Sequence, residues 1–123
     1  MLNDSQLICF AATRNPDMAK KFYGDVPGLQ LTEDSPFALA FDAKGRMLRI
    51  QKFEEHVPPK MTFLGWHVKD IAAKISDLVQ RGVRFERYPR LEQDPRGIWK
   101  SPAGAQVAWF KDPDGNTLSL TQW

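Results

Sequence analysis

The sequence predicts an α+β fold of two tandem βαβββ modules within one 123-residue chain. Three observations predict it. The order short apolar strand, capped helix, strand, hairpin runs twice. A charged segment with Pro58-Pro59, residues 54–60, separates the two passes as a linker would. Each half then carries a turn with Asp first and Gly fourth, Asp42-Ala43-Lys44-Gly45 and Asp112-Pro113-Asp114-Gly115, as type I turns prefer. The length suits a single domain, residues 1–123, with module one at about 5–57 and module two at about 61–123.

In the first module, residues 7–12 form a short apolar run, read as a strand. Asn15-Pro16-Asp17 starts a helix: Asn15 caps free N–H groups, Pro16 suits the first helical position, and Asp17 sits at the positive end. Met18, Phe22 and Val26 recur at helical spacing, and Pro27-Gly28 ends the helix. Residues 29–32 read as a strand, and 37–41 with 47–53 as a hairpin.

In the second module, residues 62–68 read as a strand, and Asp70 caps the next helix. Ile71, Ile75, Leu78 and Val79 make one apolar stripe, and Gly82 stops it. Residues 83–87 read as a strand, 91–97 as a polar loop, 98–101 and 106–111 as paired strands, and 117–123 as the final strand. Matching Asp17 to Asp70 gives an offset of 70 − 17 = 53 between the early parts of the modules, which equates Phe10 with Phe63. The late turns differ by 112 − 42 = 70, which equates Arg49 with Ser119.

Composition narrows the function classes. Seventeen basic and fifteen acidic residues give a net charge of +2, and the basic residues are scattered. Nucleic-acid binding needs a concentrated basic face, so none is expected. No stretch is apolar enough to span a bilayer, and the N-terminus lacks the apolar core of a secretory signal. Cys9 is the only cysteine, which excludes an internal disulfide and fits a cytoplasmic protein. There is no Gly-rich phosphate loop.

Two words of the sequence resemble the vicinal oxygen chelate superfamily (glyoxalase, bleomycin resistance protein, dioxygenase). They are Phe22-Tyr23-Gly24-Asp25-Val26-Pro27-Gly28-Leu29, with Pro27 where the family has Leu, and Phe110-Lys111-Asp112-Pro113-Asp114-Gly115-Asn116. The resemblance runs from about Leu7 to Trp123. It implies a curved, mixed, mostly antiparallel sheet from each module, the sheets together bounding a cavity, helices outside, and a homodimer. It also implies a divalent metal held by one residue from the first and one from the last strand of each module. Under the offsets above, those positions hold Phe10, Arg49, Phe63 and Ser119. Phe offers no lone pair, Arg only donates, and Ser is a poor sole ligand, so no metal and no other cofactor is expected.

Strand alternation puts Phe10 on one face with Ile8 and Ala12, and Phe63 on one face with Gly65 and His67. Phe10 and Phe63 either fill core where the family holds metal or stack on a ligand. His67 is either a general base or a hydrogen-bonded histidine without catalytic role; no carboxylate is near it in sequence. Arg49, sharing parity with Met47 and Gln51, either forks onto a ligand oxyanion or pairs with a nearby Glu. Trp99 and Trp109 flank a hairpin, where they either line the cavity or pack a core or interface. Trp66 has helix-side parity, and Cys9 reads as a structural thiol. Glu54-Glu55-His56 reads as a solvated loop.

The expected function is metal-free binding of a small, partly aromatic molecule by Phe10, Arg49, Gln51, Phe63, His67, Trp99, Trp109 and Ser119. The resemblance implies such a role, because bleomycin-type resistance proteins act by sequestration. Two alternatives stay open. One is a lyase, isomerase or dioxygenase using His67 or a displaced metal site. The other is a dimeric interaction module without a ligand.

Overall fold

The computed structural model describes residues 1–123. Eight strands and two helices occur in the order β1 (Ile8–Thr13), α1 (Pro16–Asp25), β2 (Gln30–Asp34), β3 (Ala38–Ala43), β4 (Arg46–Lys52), β5 (Thr62–His67), α2 (Ile71–Gln80), β6 (Trp99–Lys100), β7 (Gln106–Lys111) and β8 (Thr117–Gln122). They form two four-stranded sheets, β1-β4-β3-β2 and β5-β8-β7-β6. In each, the first and last strands pair parallel and the other pairs are antiparallel. The chain divides into two compact units, Met1–Val57 and Pro58–Trp123.

In the first unit, Asn15 caps α1 by accepting from the Met18 N–H, with Pro16 inside the first turn. Ala19 and Tyr23 are its buried residues, and the Tyr23 ring lies 6.0 Å from that of Phe41. Met18 is exposed, so the buried stripe is centred one residue beyond the Met18–Phe22 line. The sheet's helix-side residues, Ala11, Thr13, Leu39, Phe41, Leu48 and Ile50, are all buried. The β3–β4 turn is tighter than the expected four-residue type I turn. Asp42 and Ala43 remain in β3, and the turn is Lys44-Gly45, with φ of 53° and 82°. Two successive positive φ values define a type I′ hairpin, whose twist matches the strands. The Asp42 carboxylate accepts from the Gly45 N–H at 3.1 Å.

In the second unit, Asp70 caps α2 by accepting from the Ala73 N–H at 3.1 Å, and Gln122 accepts from the Ile71 N–H at 2.9 Å. Ile71, Ile75 and Leu78 are buried, whereas Val79 is exposed. Phe110 anchors the helix-side core, with Phe85 at 5.4 Å and Trp66 stacked at 6.4 Å, which confirms the helix-side parity of Trp66. Residues 83–87 are not a strand. They run in irregular conformation beside β7 and make one ladder-like bond, Glu86 N–H to Trp109 C=O at 2.8 Å. The physical reason lies in Gln93. Its amide takes the Tyr88 N–H and donates to the carbonyls of Glu86 and Gly97. A side chain thus satisfies backbone groups that a regular edge strand would pair.

Candidate functional site

The face of each sheet opposite its helix is the open face. On the first sheet it carries Ile8, Phe10, Met47, Arg49 and Gln51 at exposed or half-buried positions. Phe10 is 49% exposed, so it does not serve as core filling within its own unit. Register places Phe10, Arg49 and Ala40 in one row across β1, β4 and β3, with Glu33 next on β2. Arg49 Nη1 donates to Glu33 Oε2 at 3.1 Å, the ion pair that was one of its two expected readings. The bond spans β3 at Ala40, whose methyl is small and is left only 1% exposed.

Glu33 reaches this face because β2 is bulged. Leu31 pairs with Phe41 and Glu33 with Ala40, so Thr32 is the extra residue. A bulge shifts the alternation by one. It turns Glu33 to the open face and Asp34 to the helix side, where Lys52 and Lys20 bind it at 2.6 and 3.2 Å. Hydrogen bonds from Lys52, then Lys20, hold the Asp34 carboxyl below its ordinary value of 3.8.

On the second sheet the open face is aromatic. Gly65, Ser119 and Trp109 form one row, and His67, Thr121, Val107 and Trp99 the next. The Trp99 and Trp109 rings lie 6.0 Å apart with planes 35° apart, and the Tyr88 ring meets Trp109 edge-on at 5.5 Å. Burial pushes the Tyr88 phenol above its ordinary value of 10.0, and the charge on Glu86 pushes it further. His67 is exposed, and its ring lies 5.4 Å from that of Trp123. No carboxylate is within hydrogen-bond reach of it, so nothing orients it as a base.

The pairing corrects the equivalence of Phe10 with Phe63. The two helix caps are Asn15 and Asp70, an offset of 70 − 15 = 55 rather than 53. Phe10 therefore corresponds to Gly65, which pairs with Ser119 as Phe10 pairs with Arg49. Phe63 is the unpaired residue of a bulge in β5, between Thr62 and Leu64. Gly65 also meets a steric demand: a Cβ there would overlap Ser119 Oγ.

The positions that the resemblance equates with metal ligands thus hold Phe10 and Arg49 in the first unit and Gly65 and Ser119 in the second. An aromatic ring, a cation, a glycine and one buried hydroxyl do not fit a divalent metal. No three His, Cys, Asp or Glu side chains come together elsewhere as a cation site. The Phe110–Asn116 word is architectural: the Asp112 carboxylate accepts from the N–H groups of Asp114 and Asn116 and from the Asn116 amide, at 2.9, 2.9 and 2.8 Å.

Two contributors to the open faces are not readable from the sequence pattern, Glu33 and Tyr88: the first depends on a bulge and the second on an irregular loop, neither of which periodicity reveals. Alternation does place Gly65 on the face with His67, but not as the counterpart of Phe10, although a lone glycine inside a strand signals close approach.

Known proteins agree with this architecture. A family model described as Glyoxalase/Bleomycin resistance protein/Dioxygenase superfamily matches residues 7–120. An antibiotic binding protein from a Streptomyces species is 26% identical, with a TM-score of 0.73 over 99% of this chain and 98% of that one. Lactoylglutathione lyase from Agrobacterium tumefaciens is 16% identical, with a TM-score of 0.74 over 96% and 93%. A glyoxalase/bleomycin resistance protein/dioxygenase from Alicyclobacillus acidocaldarius is 21% identical, with a TM-score of 0.72 over 100% and 95%. No curated protein matches the sequence. No helix is long and apolar enough to cross a membrane. With the family model covering nearly the whole chain and the βαβββ order present in both units, the protein belongs to the glyoxalase/bleomycin resistance protein/dioxygenase superfamily.

Proposed function

We propose that the protein binds a small, partly aromatic molecule on the open faces of its sheets, without a metal. The observation that carries this reading is the group Tyr88, Trp99 and Trp109 on the open face of the second sheet. These rings already touch one another, so a planar ligand stacks on them from the open side rather than between them. Beside these rings on the second sheet, His67 and Ser119 supply further polar contacts, and Phe63, at its bulge, is a peripheral member; on the open face of the first sheet, Phe10, Arg49 and Gln51 form a separate group of apolar and polar contacts. The donor chemistry of Phe10, Arg49, Gly65 and Ser119 supports the metal-free part of the reading. The antibiotic binding protein among the similar structures supports sequestration as the role.

The reading extends to a homodimer in the cytoplasm. Large apolar side chains left exposed, among them Leu7, Phe37 and Phe53, support an interface that would cover them. The single cysteine supports a reducing compartment. Sedimentation equilibrium tests the dimer.

A tryptophan-fluorescence screen of planar aromatic compounds, run in chelator, tests the binding. Saturable quenching is expected, and Trp109→Ala should weaken it roughly tenfold or more. Binding that requires added metal would refute the reading. Turnover lost on His67→Ala, with folding intact, would favour a lyase, isomerase or dioxygenase instead.

A further inference from the structure

We propose that Arg49 is the receptor for a carboxylate on the ligand, so that the molecules bound are apolar or aromatic monocarboxylates. The inference deepens the binding reading above and rests on it. A guanidinium presents its donors along two edges, and the Nε–Nη2 edge matches a planar carboxylate bidentately. Arg49 uses only Nη1: it donates to Glu33 Oε2 at 3.1 Å and makes a weak contact with Met47 Sδ at 4.0 Å. The Nε and Nη2 hydrogens meet no protein acceptor, and the side chain is 28% exposed. No buried side-chain polar atom in the structure lacks a partner, so these donors are open to solvent and not entombed.

Glu33 is the positioning residue. It fixes the guanidinium through the nitrogen not needed by the ligand, and the bulge at Thr32 puts it there. The ligand's apolar body has neighbours on the same face: Phe10, directly paired with Arg49, together with Ile8 and Met47, which are 49%, 48% and 40% exposed. Charge decides between oxyanions. The other cations of β4, Arg46 and Lys52, have the opposite parity, and Lys52 is bound to Asp34. One cation already shared with Glu33 suits a monoanion. A phosphate dianion would need a second partner.

The test compares naphthoate with its neutral isostere naphthamide, by titration calorimetry on the full chain. Naphthyl phosphate is the third arm. Naphthoate should bind roughly ten- to a hundred-fold more tightly than naphthamide, the range of a charge-assisted pair. Arg49→Met should erase that preference, and Arg49→Lys should restore only part of it, since it keeps charge without the fork. On the unmodified protein, the Arg49 Nε–Hε resonance should shift with naphthoate and stay with naphthamide. That readout stands even if a variant fails to fold. Equal affinity for the two probes, a preference that survives Arg49→Met, or tighter binding of the phosphate would overturn the proposal. Equal affinity would leave the binding reading in place. Binding of neither probe would overturn this proposal, and the fluorescence screen would then decide the broader reading separately.

Discussion

Gly65→Ala isolates the register on which the site rests. The backbone of Gly65 is not left-handed, so alanine is conformationally acceptable and favours the folded state through the unfolded chain by about 0.4–1 kcal/mol. The obstacle is packing alone. The new Cβ would overlap Ser119 Oγ, and it would lie 3.2 Å from the Ser119 carbonyl oxygen and 3.6 Å from Ser119 Cβ. Ser119 is only 8% exposed, so its hydroxyl cannot swing freely into water. Overpacking of this kind costs about 1–3 kcal/mol. The net destabilisation should therefore be about 1–2 kcal/mol. In a Ser119→Ala background the Oγ is gone, Cβ meets Cβ at ordinary contact, and only the carbonyl must give by a few tenths of an ångström. Gly65→Ala should then cost under about 0.5 kcal/mol. Urea unfolding of the four proteins closes the double-mutant cycle, with an expected coupling of about 1 kcal/mol. A coupling near zero would mean that Gly65 and Ser119 are not paired, and the equivalence of Phe10 with Gly65 would fall with it.

Other expectations follow from the same geometry. Asp112→Ala should destabilise the chain by roughly 2–4 kcal/mol in urea unfolding, because three buried donors lose their carboxylate acceptor; a loss below about 0.5 kcal/mol would deny the turn its structural role. For Asp34, an NMR titration should find the carboxyl below its ordinary value, and Lys52→Met should raise it more than Lys20→Met does, since Lys52 lies closer. Equal effects would contradict this geometry. For Asp94, burial opposes ionisation, but the N–H groups of Ile98 and Arg96 and the Arg96 guanidinium outweigh it and lower the carboxyl below 3.8. A depressed carboxyl stabilises the fold above its unfolded value and loses that contribution as pH falls through the folded one. Stability of the wild type should thus fall more steeply below pH 4 than that of Asp94→Asn; parallel acid limbs would refute the assignment.

Much of the fold was legible because its signals are local. Caps, breakers and turn residues act within a few positions, so Asn15, Asp70, Gly82 and the Asp112 turn each mark an element end through their own backbone chemistry. The site was less legible because rows across a sheet are set by register. Pairing Asp17 with Asp70 joined two acidic residues near helix starts, yet only Asp70 is the cap, and its counterpart is Asn15. The two-residue shift keeps parity, so Phe10 and Gly65 both lie opposite the helices, while the row that would equate Phe10 with Phe63 does not hold. Bulges at Thr32 and Phe63 add a residue on one strand only, and no alternation pattern on that strand reports it. The partner of Arg49 was for the same reason foreseeable as some Glu, but not as Glu33. Residues 83–87 alternate like a strand, but Gln93, ten residues from their start, supplies the competing hydrogen bonds.

Under the superfamily resemblance, the metal-ligand positions fall on Phe10 and Arg49 in the first unit and on Gly65 and Ser119 in the second, and the chemistry of these residues does not suit a divalent ion. Elemental analysis of protein purified without chelator, incubated with Zn²⁺, Mn²⁺, Ni²⁺ and Fe²⁺ and then dialysed, tests it most directly. No metal should be retained near one equivalent per chain. Stoichiometric retention of any of the four, lost on substituting residues of these rows, would contradict it.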